Sequence, residues 1–111
     1  MDRIVAFRDT IERVLLDYAR LPYAYGDIRR VTVFDRDSDH YLLLSDGWND
    51  DRRIHGTLVH IDIIDGKIWV QRDGTEYGIA NELVDAGIPR TDIVLGFQPP
   101  EIRPFTDFAA A

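Results

Sequence analysis

The sequence predicts an α+β domain, and three patterns in it support that prediction. The first twenty or so residues repeat apolar side chains with the period of a helix, and a second helical pattern begins near residue 76. Between them, strand-like runs alternate with short polar turns, including the hairpin signal Asp65-Gly66. We expect one domain, residues 1–111, with an N-terminal helix, an antiparallel meander sheet of about four strands, a second helix and an extended C-terminal tail.

The first helix is predicted over residues 3–20. At about 100° per residue, its apolar side chains fall within one arc roughly 100° wide. That arc contains Ile4, Phe7, Ile11, Val14, Leu15 and Tyr18. Pro22 ends the helix. Val5 and Leu16 lie together on the outer face, where isolated apolar side chains are ordinary surface.

Four strands follow, because β-branched and aromatic runs alternate with polar turns. The strands span residues 28–34, 41–44, 53–64 and 67–72. The turns cover residues 23–27, 35–39, 47–51 and 65–66. Consecutive strands joined by short turns pair antiparallel.

The two-residue turn Asp65-Gly66 fixes the register of the last two strands. The predicted pairs are Ile64 with Lys67, Ile63 with Ile68, Ile61 with Val70 and Val59 with Arg72. One face of this hairpin is aliphatic and must belong to the core; it carries Val59, Ile61, Ile63, Ile68 and Val70. The other face carries Leu58, His60, Asp62, Trp69 and Gln71.

The second helix is predicted over residues 76–86, with Thr75 as its cap and Gly87 as its stop. Its inner stripe contains Ile79, Leu83 and Ala86. Beyond it we expect a turn at residues 90–92 and, at 93–97, a short buried strand or an irregular packed segment. The tail, residues 98–111, contains three prolines and is expected to lie extended over the surface.

Composition argues against a nucleic-acid-binding protein. The net charge is −7, from 20 acidic and 13 basic residues. A protein that grips phosphates needs a basic face, whereas the pairs Arg29-Arg30 and Arg52-Arg53 are each flanked by aspartates. With no cysteine and no run near the roughly 18 apolar residues of a membrane span, we expect a cytoplasmic protein without disulfides.

Two groups of side chains invite a metal interpretation. Asp35, Asp37 and Asp39 resemble a calcium loop, but the sixth and twelfth positions are His40 and Asp46 instead of Gly and Glu. We interpret the segment as a solvated acidic turn.

The three histidines, His40, His55 and His60, are the second group. His55 and His60 are an odd number apart on one strand and should face opposite ways unless a bulge intervenes. His60 and Asp62 share a face, and such a pair can supply two metal ligands or a base with its orienting group. It can equally be a satisfied polar pair on a half-exposed sheet. The sequence contains no nucleophile-elbow motif and no phosphate-binding loop.

Trp69 is the most distinctive side chain of the polar hairpin face. An aromatic ring among polar groups is typical of a protein interface, so Leu58, His60, Asp62, Trp69 and Gln71 are candidate partner-binding residues. The alternative is that the first helix or the tail of the same chain covers Trp69. We predict cover by another chain, either a second copy or a different partner.

Several segments together resemble the XisI-like family over nearly the whole chain. The most specific are residues 60–80 (HIDIIDGKIWVQRDGTEYGIA) and residues 87–97 (GIPRTDIVLGF). Residues 25–27 (YGD), residues 39–48 (DHYLLLSDGW) and the tail positions Pro100, Arg103, Thr106, Phe108 and Ala109 agree with it.

The resemblance implies a cyanobacterial controlling factor for excision of the fdxN element, acting beside an XisH-like protein with a nuclease-like fold. It brings no catalytic residues and no cofactor. It therefore favours a non-enzymatic regulatory protein that binds a protein partner. Two alternatives are a directly DNA-binding excision factor and a small metal-dependent hydrolase using His60 and Asp62.

Overall fold

The computed structural model describes residues 2–22 and 26–111. Within them the chain forms a helix, a four-strand meander, a second helix and a fifth strand. The elements are α1 (Arg3–Ala19), β1 (Asp27–Asp35), β2 (His40–Asn49), β3 (Arg52–Ile64), β4 (Lys67–Asp73), α2 (Ile79–Asp85) and β5 (Ile93–Leu95). The sheet order is β1-β2-β3-β4-β5. The first four strands pair antiparallel and β5 pairs parallel to β4, so the predicted α+β meander is confirmed and gains a parallel edge strand.

Helix α1 follows its sequence pattern. Asp2 caps it by accepting a hydrogen bond from the backbone N–H of Ile4. Phe7, Ile11, Val14 and Leu15 are buried, and the two outer members of the predicted arc, Ile4 and Tyr18, pack partly buried against them. Leu16 is 41% exposed, as expected for the outer face.

The core lies between the helices and one face of the sheet. Its buried residues come from α1, α2 and the strands. The strand contribution includes Tyr41, Leu43, Val59, Ile61, Ile68, Val70 and Ile93. The aliphatic face of the predicted hairpin is therefore the core face, although Ile63 is only partly buried. No helix among the described residues is long and apolar enough to cross a membrane.

One predicted turn is confirmed, and another is shorter than predicted. The Asp65-Gly66 turn is confirmed, with both residues at positive φ (51° and 79°). Residues 47–49, predicted as a turn, instead extend β2, and the chain reverses at Asp50 and Asp51. At Gly47 a Cβ atom would lie 2.1 Å from the carbonyl oxygen of Asp27, so this glycine allows close strand packing. Residues 23–25 of the first predicted turn lie outside the described residues.

Two β-bulges change the predicted register. Three of the four hairpin pairs are as predicted, but Val59 pairs with Asp73, because Gln71 is an extra residue in β4. A second shift in the β2–β3 pairing leaves Leu58 as an extra residue in β3. A bulge turns its side chain out of the regular alternation. Leu58 therefore packs partly buried against the core and is not on the face that carries Trp69.

Helix α2 is shorter than predicted and has a different cap. It begins at Ile79, and its first backbone N–H donates to Oδ2 of Asp73 at 2.7 Å. Thr75 does not cap the helix; its hydroxyl donates to the other oxygen of Asp73. Gly87, with φ at 107°, follows the helix end as predicted.

The C-terminal tail is not extended. It folds through a short 3-10 turn at Arg103–Phe105 and returns to the sheet, where Ala109 bridges to Val94 in parallel. The backbone N–H of Ala109 donates to the carbonyl oxygen of Ile93 at 2.8 Å. Val94 is fully buried although it pairs with Trp69 on the face opposite the helices. The tail thus covers one end of that face.

Candidate functional site

The face of the sheet opposite the helices, here called the open face, contains a cluster of two histidines and an aspartate. Asp62 on β3 is 8% exposed. Its Oδ1 lies 2.7 Å from Nδ1 of His40 and 2.8 Å from Nε2 of His60. Gln71 donates to its other oxygen, Oδ2, at 3.3 Å. Three side chains of the sheet therefore form hydrogen bonds with the two oxygens of this buried carboxylate.

Strand pairing positions each member of this His–Asp–His cluster. His40 is the first residue of β2 and lies directly opposite Asp62. His60 precedes Asp62 by two residues, and an even spacing puts both on one face. Sequence reasoning paired His60 with Asp62 but did not place His40 beside them. Without the Leu58 bulge, the Asp50-Asp51 turn would place His40 opposite Ile61, so the turn alone points to the wrong partner.

The same bulge corrects the prediction for His55. His55 pairs with Asp46 and His60 pairs with Leu42, and these two β2 residues are an even number apart. The two histidines therefore lie on the same face, not on opposite faces. They remain separated by about four residues of strand, roughly 13 Å, so His55 lies outside the cluster.

The members of the cluster change one another's pKa values. Burial by itself would raise the pKa of Asp62, but hydrogen bonds from His40, His60 and Gln71 outweigh it and hold the pKa below its usual range. The hydrogen bond to Asp62 raises the pKa of His40. The site thus favours an ionised Asp62 that accepts hydrogen bonds from the two imidazoles.

Trp69 is half-buried under the tail of its own chain. The guanidinium of Arg103 lies 5.0 Å from the ring centroid. Gly96 lies so close that a Cβ there would be 3.2 Å from the ring and 2.4 Å from Oε1 of Gln71. The tail of the same chain therefore lies over part of the Trp69 ring, which is the alternative given above. Cover of the rest of the ring by another chain stays a prediction. Of the five predicted residues, His60, Asp62, Trp69 and Gln71 come together and Leu58 does not.

Two carboxylates of the acidic turn before β2, those of Asp35 and Asp39, have hydrogen-bond partners within the chain. Asp35 accepts hydrogen bonds from the backbone N–H groups of Asp37 and Ser38. Asp39 instead pairs with Arg8 at 2.8 Å and accepts from the hydroxyl of Tyr41. These carboxylates are used to close the turn and to fasten it to α1.

An apolar patch on β1 and β2 borders the cluster on the open face. Val31 pairs with Leu44 and Val33 pairs with Leu42 across β1 and β2. These four residues are called the β1–β2 patch. Val33 is 45% exposed, the others are half-buried, and none of the four belongs to the core cluster of the described residues. Such a neighbouring apolar set on a sheet face is typical of a binding surface.

These features define an α+β domain that packs its helices on one face of a mixed sheet and carries a His–Asp–His cluster and an apolar patch on the other. The chain belongs to the XisI protein family, whose family model matches residues 1–110. No curated protein matches the chain at a significant level.

Two solved structures are similar to the chain over nearly its whole length. A XisI-like protein from Anabaena variabilis is 37% identical with a TM-score of 0.88, covering 97% of this chain and 99% of that one. The fdxN element excision controlling factor XisI from Anabaena variabilis is 35% identical with a TM-score of 0.82, covering 99% of this chain and 100% of that one. The resemblance found in the sequence is confirmed.

Proposed function

We propose that this protein is a non-enzymatic accessory factor in the control of DNA element excision and that it acts by binding a protein partner. Membership of the XisI family and 35% identity to an fdxN element excision controlling factor support the regulatory role. The proposed partner is an XisH-like protein. Strand cleavage and joining then belong to other proteins of the system.

The β1–β2 patch is the observation that carries the binding proposal. Its four aliphatic side chains are cross-strand neighbours on one face of the sheet. Exposed aliphatic surface costs about 25 cal/mol per Å² relative to burial, so covering this patch favours association. His60 pairs with Leu42 at the border of the patch and supplies a polar group for its rim.

The charge of the chain favours a protein over DNA as the partner. A net charge of −7 repels phosphates, whereas aliphatic side chains bordered by polar groups suit a protein surface. An accessory role through protein contact therefore agrees with both charge and shape.

A binding experiment with a matched control tests the proposal. The protein is titrated with a purified XisH-like protein, and the affinity is measured by calorimetry. Val33→Lys should weaken binding at least about tenfold, because it places a charge in the apolar centre of the contact. Leu16→Lys is the control, since Leu16 is 41% exposed on the outer face of α1 and should leave affinity unchanged.

Two results would contradict the proposal. Wild-type protein that fails to bind the XisH-like protein excludes that partner class. Equal affinities for the wild type and Val33→Lys exclude the β1–β2 patch as the contact. Sedimentation of the protein alone separates a third outcome, in which the patch joins two copies of this chain and Val33→Lys converts a dimer to a monomer.

A further inference from the structure

We propose that His40, His60 and Asp62 form a binding site for a divalent transition-metal ion such as Zn²⁺. This inference is independent of the proposed partner binding. It rests on the arrangement of three side chains that strand pairing brings together on the open face.

The ligand atoms already converge. One nitrogen of each imidazole and one carboxylate oxygen lie within 4.8 Å of one another. A zinc ion lies about 2.0–2.2 Å from nitrogen and oxygen ligands, so atoms bound to one ion are up to about 4 Å apart. In a tetrahedral site the ligand atoms lie roughly 3.4 Å apart, so each atom would have to move by about an ångström or less. Side-chain rotation can supply such a movement. The three residues stand on paired strands, which hold their backbones in place around the site.

The donor set indicates the class of metal. Imidazole nitrogen suits zinc, iron, cobalt, nickel and copper, whereas calcium and magnesium prefer oxygen ligands. Two imidazoles and one carboxylate leave at least one coordination position for water or another ligand. That position is accessible, because the side chains of His40 and His60 are 54% and 35% exposed.

Gln71 supports the carboxylate from behind. Its amide donates to Oδ2 of Asp62, which leaves Oδ1 directed at both imidazoles. Orientation of a ligating carboxylate by a neighbouring donor is a common feature of metal sites. Gly96 in turn leaves room for Gln71, because a Cβ atom at that position would lie 2.4 Å from Oε1 of Gln71.

A purely hydrogen-bonded cluster is the competing interpretation. In that case each imidazole donates an N–H to Oδ1 of Asp62. In a metal site the same nitrogens are deprotonated and bind the ion. Zinc binding by the folded protein distinguishes the two.

The test is calorimetric titration of the untagged full chain with zinc chloride, and with cobalt chloride followed by its visible absorption. We expect one ion per chain and a rise in melting temperature with added zinc. His40→Ala should weaken zinc binding by more than about tenfold, since it removes a ligand. His40 is exposed, so this variant should fold, which circular dichroism checks.

His55→Ala is the matched control. His55 is exposed on the same face of the same sheet but lies outside the cluster, so zinc affinity should not change. The proposal is overturned if folded wild-type protein takes up no zinc. It is equally overturned if His40→Ala binds as well as the wild type, or if His55→Ala loses as much affinity as His40→Ala.

Discussion

At the scale of single residues, the open-face cluster and the core bury side chains for different reasons. Asp62 is buried and keeps its charge because His40, His60 and Gln71 supply hydrogen bonds to it. Ile61, the residue before it, is buried for the opposite reason, since it turns to the core face and has no exposed surface. Two successive residues of one strand thus face different surroundings, one polar and charged, the other aliphatic.

Ile61 allows a direct test of the core assignment. Ile61→Ala should lower the free energy of unfolding by about 2–5 kcal/mol, because it removes buried methylenes and leaves a cavity. Urea denaturation measures the change. Ile64→Ala, at a position 40% exposed beside the hairpin turn, is the control and should cost much less. Similar values for the two variants would contradict the assignment of the core face.

At the scale of elements, Asp46 connects three strands. It lies on β2 and pairs with Arg53 on β3 at 2.6 Å and with Arg29 on β1 at 3.1 Å. Hydrogen bonds from Arg53, which has the larger effect, and from Arg29 lower the pKa of Asp46. The stabilisation is present above the ordinary pKa of an aspartate and is lost as the pH falls through the lowered folded-state value.

Asp46→Asn should therefore destabilise the protein near neutral pH, and the difference from the wild type should shrink as the pH falls below about 4. Urea denaturation at several pH values measures it. Asp51→Asn, in the exposed turn that follows β2, is the control and should change stability little. A destabilisation by Asp46→Asn that stays constant down to low pH would show that charge is not its cause.

The tail is an element that stabilises the fold through Trp69. Arg103 and Gly96 lie against the ring of Trp69, which therefore connects β4 to the segment that follows β5. Trp69→Ala should lower the free energy of unfolding, though by less than the about 3–5 kcal/mol of a fully buried aromatic. If the tail alone covers the ring, the sedimentation of this variant should match that of the wild type. Loss of assembly without loss of stability would instead show that Trp69 is an interface residue.

At the scale of the whole molecule, the net charge disfavours binding to DNA. Basic proteins bind DNA non-specifically with dissociation constants of about 10⁻⁴ to 10⁻⁶ M, because they neutralise phosphates. With a net charge of −7, this chain should not shift duplex DNA at physiological salt. Fluorescence anisotropy checks this, and micromolar affinity that weakens with added salt would contradict it.

The sequence by itself determined those features that depend on neighbouring residues. The buried arc of α1, the Asp65-Gly66 turn and the aliphatic face of the β3–β4 hairpin all follow from local periodicity and turn chemistry. His60 and Asp62 could be placed on one face for the same reason, because two residues of one strand repeat by alternation.

Tertiary structure decided what depends on segments distant in the chain. The bulges at Leu58 and Gln71 shift each register by one residue, and an odd shift changes which side chains share a face. Hence His40 joins Asp62, and Leu58 leaves the open face. The parallel pairing of β5 and the return of the tail over Trp69 likewise depend on packing against β4, which no local pattern encodes.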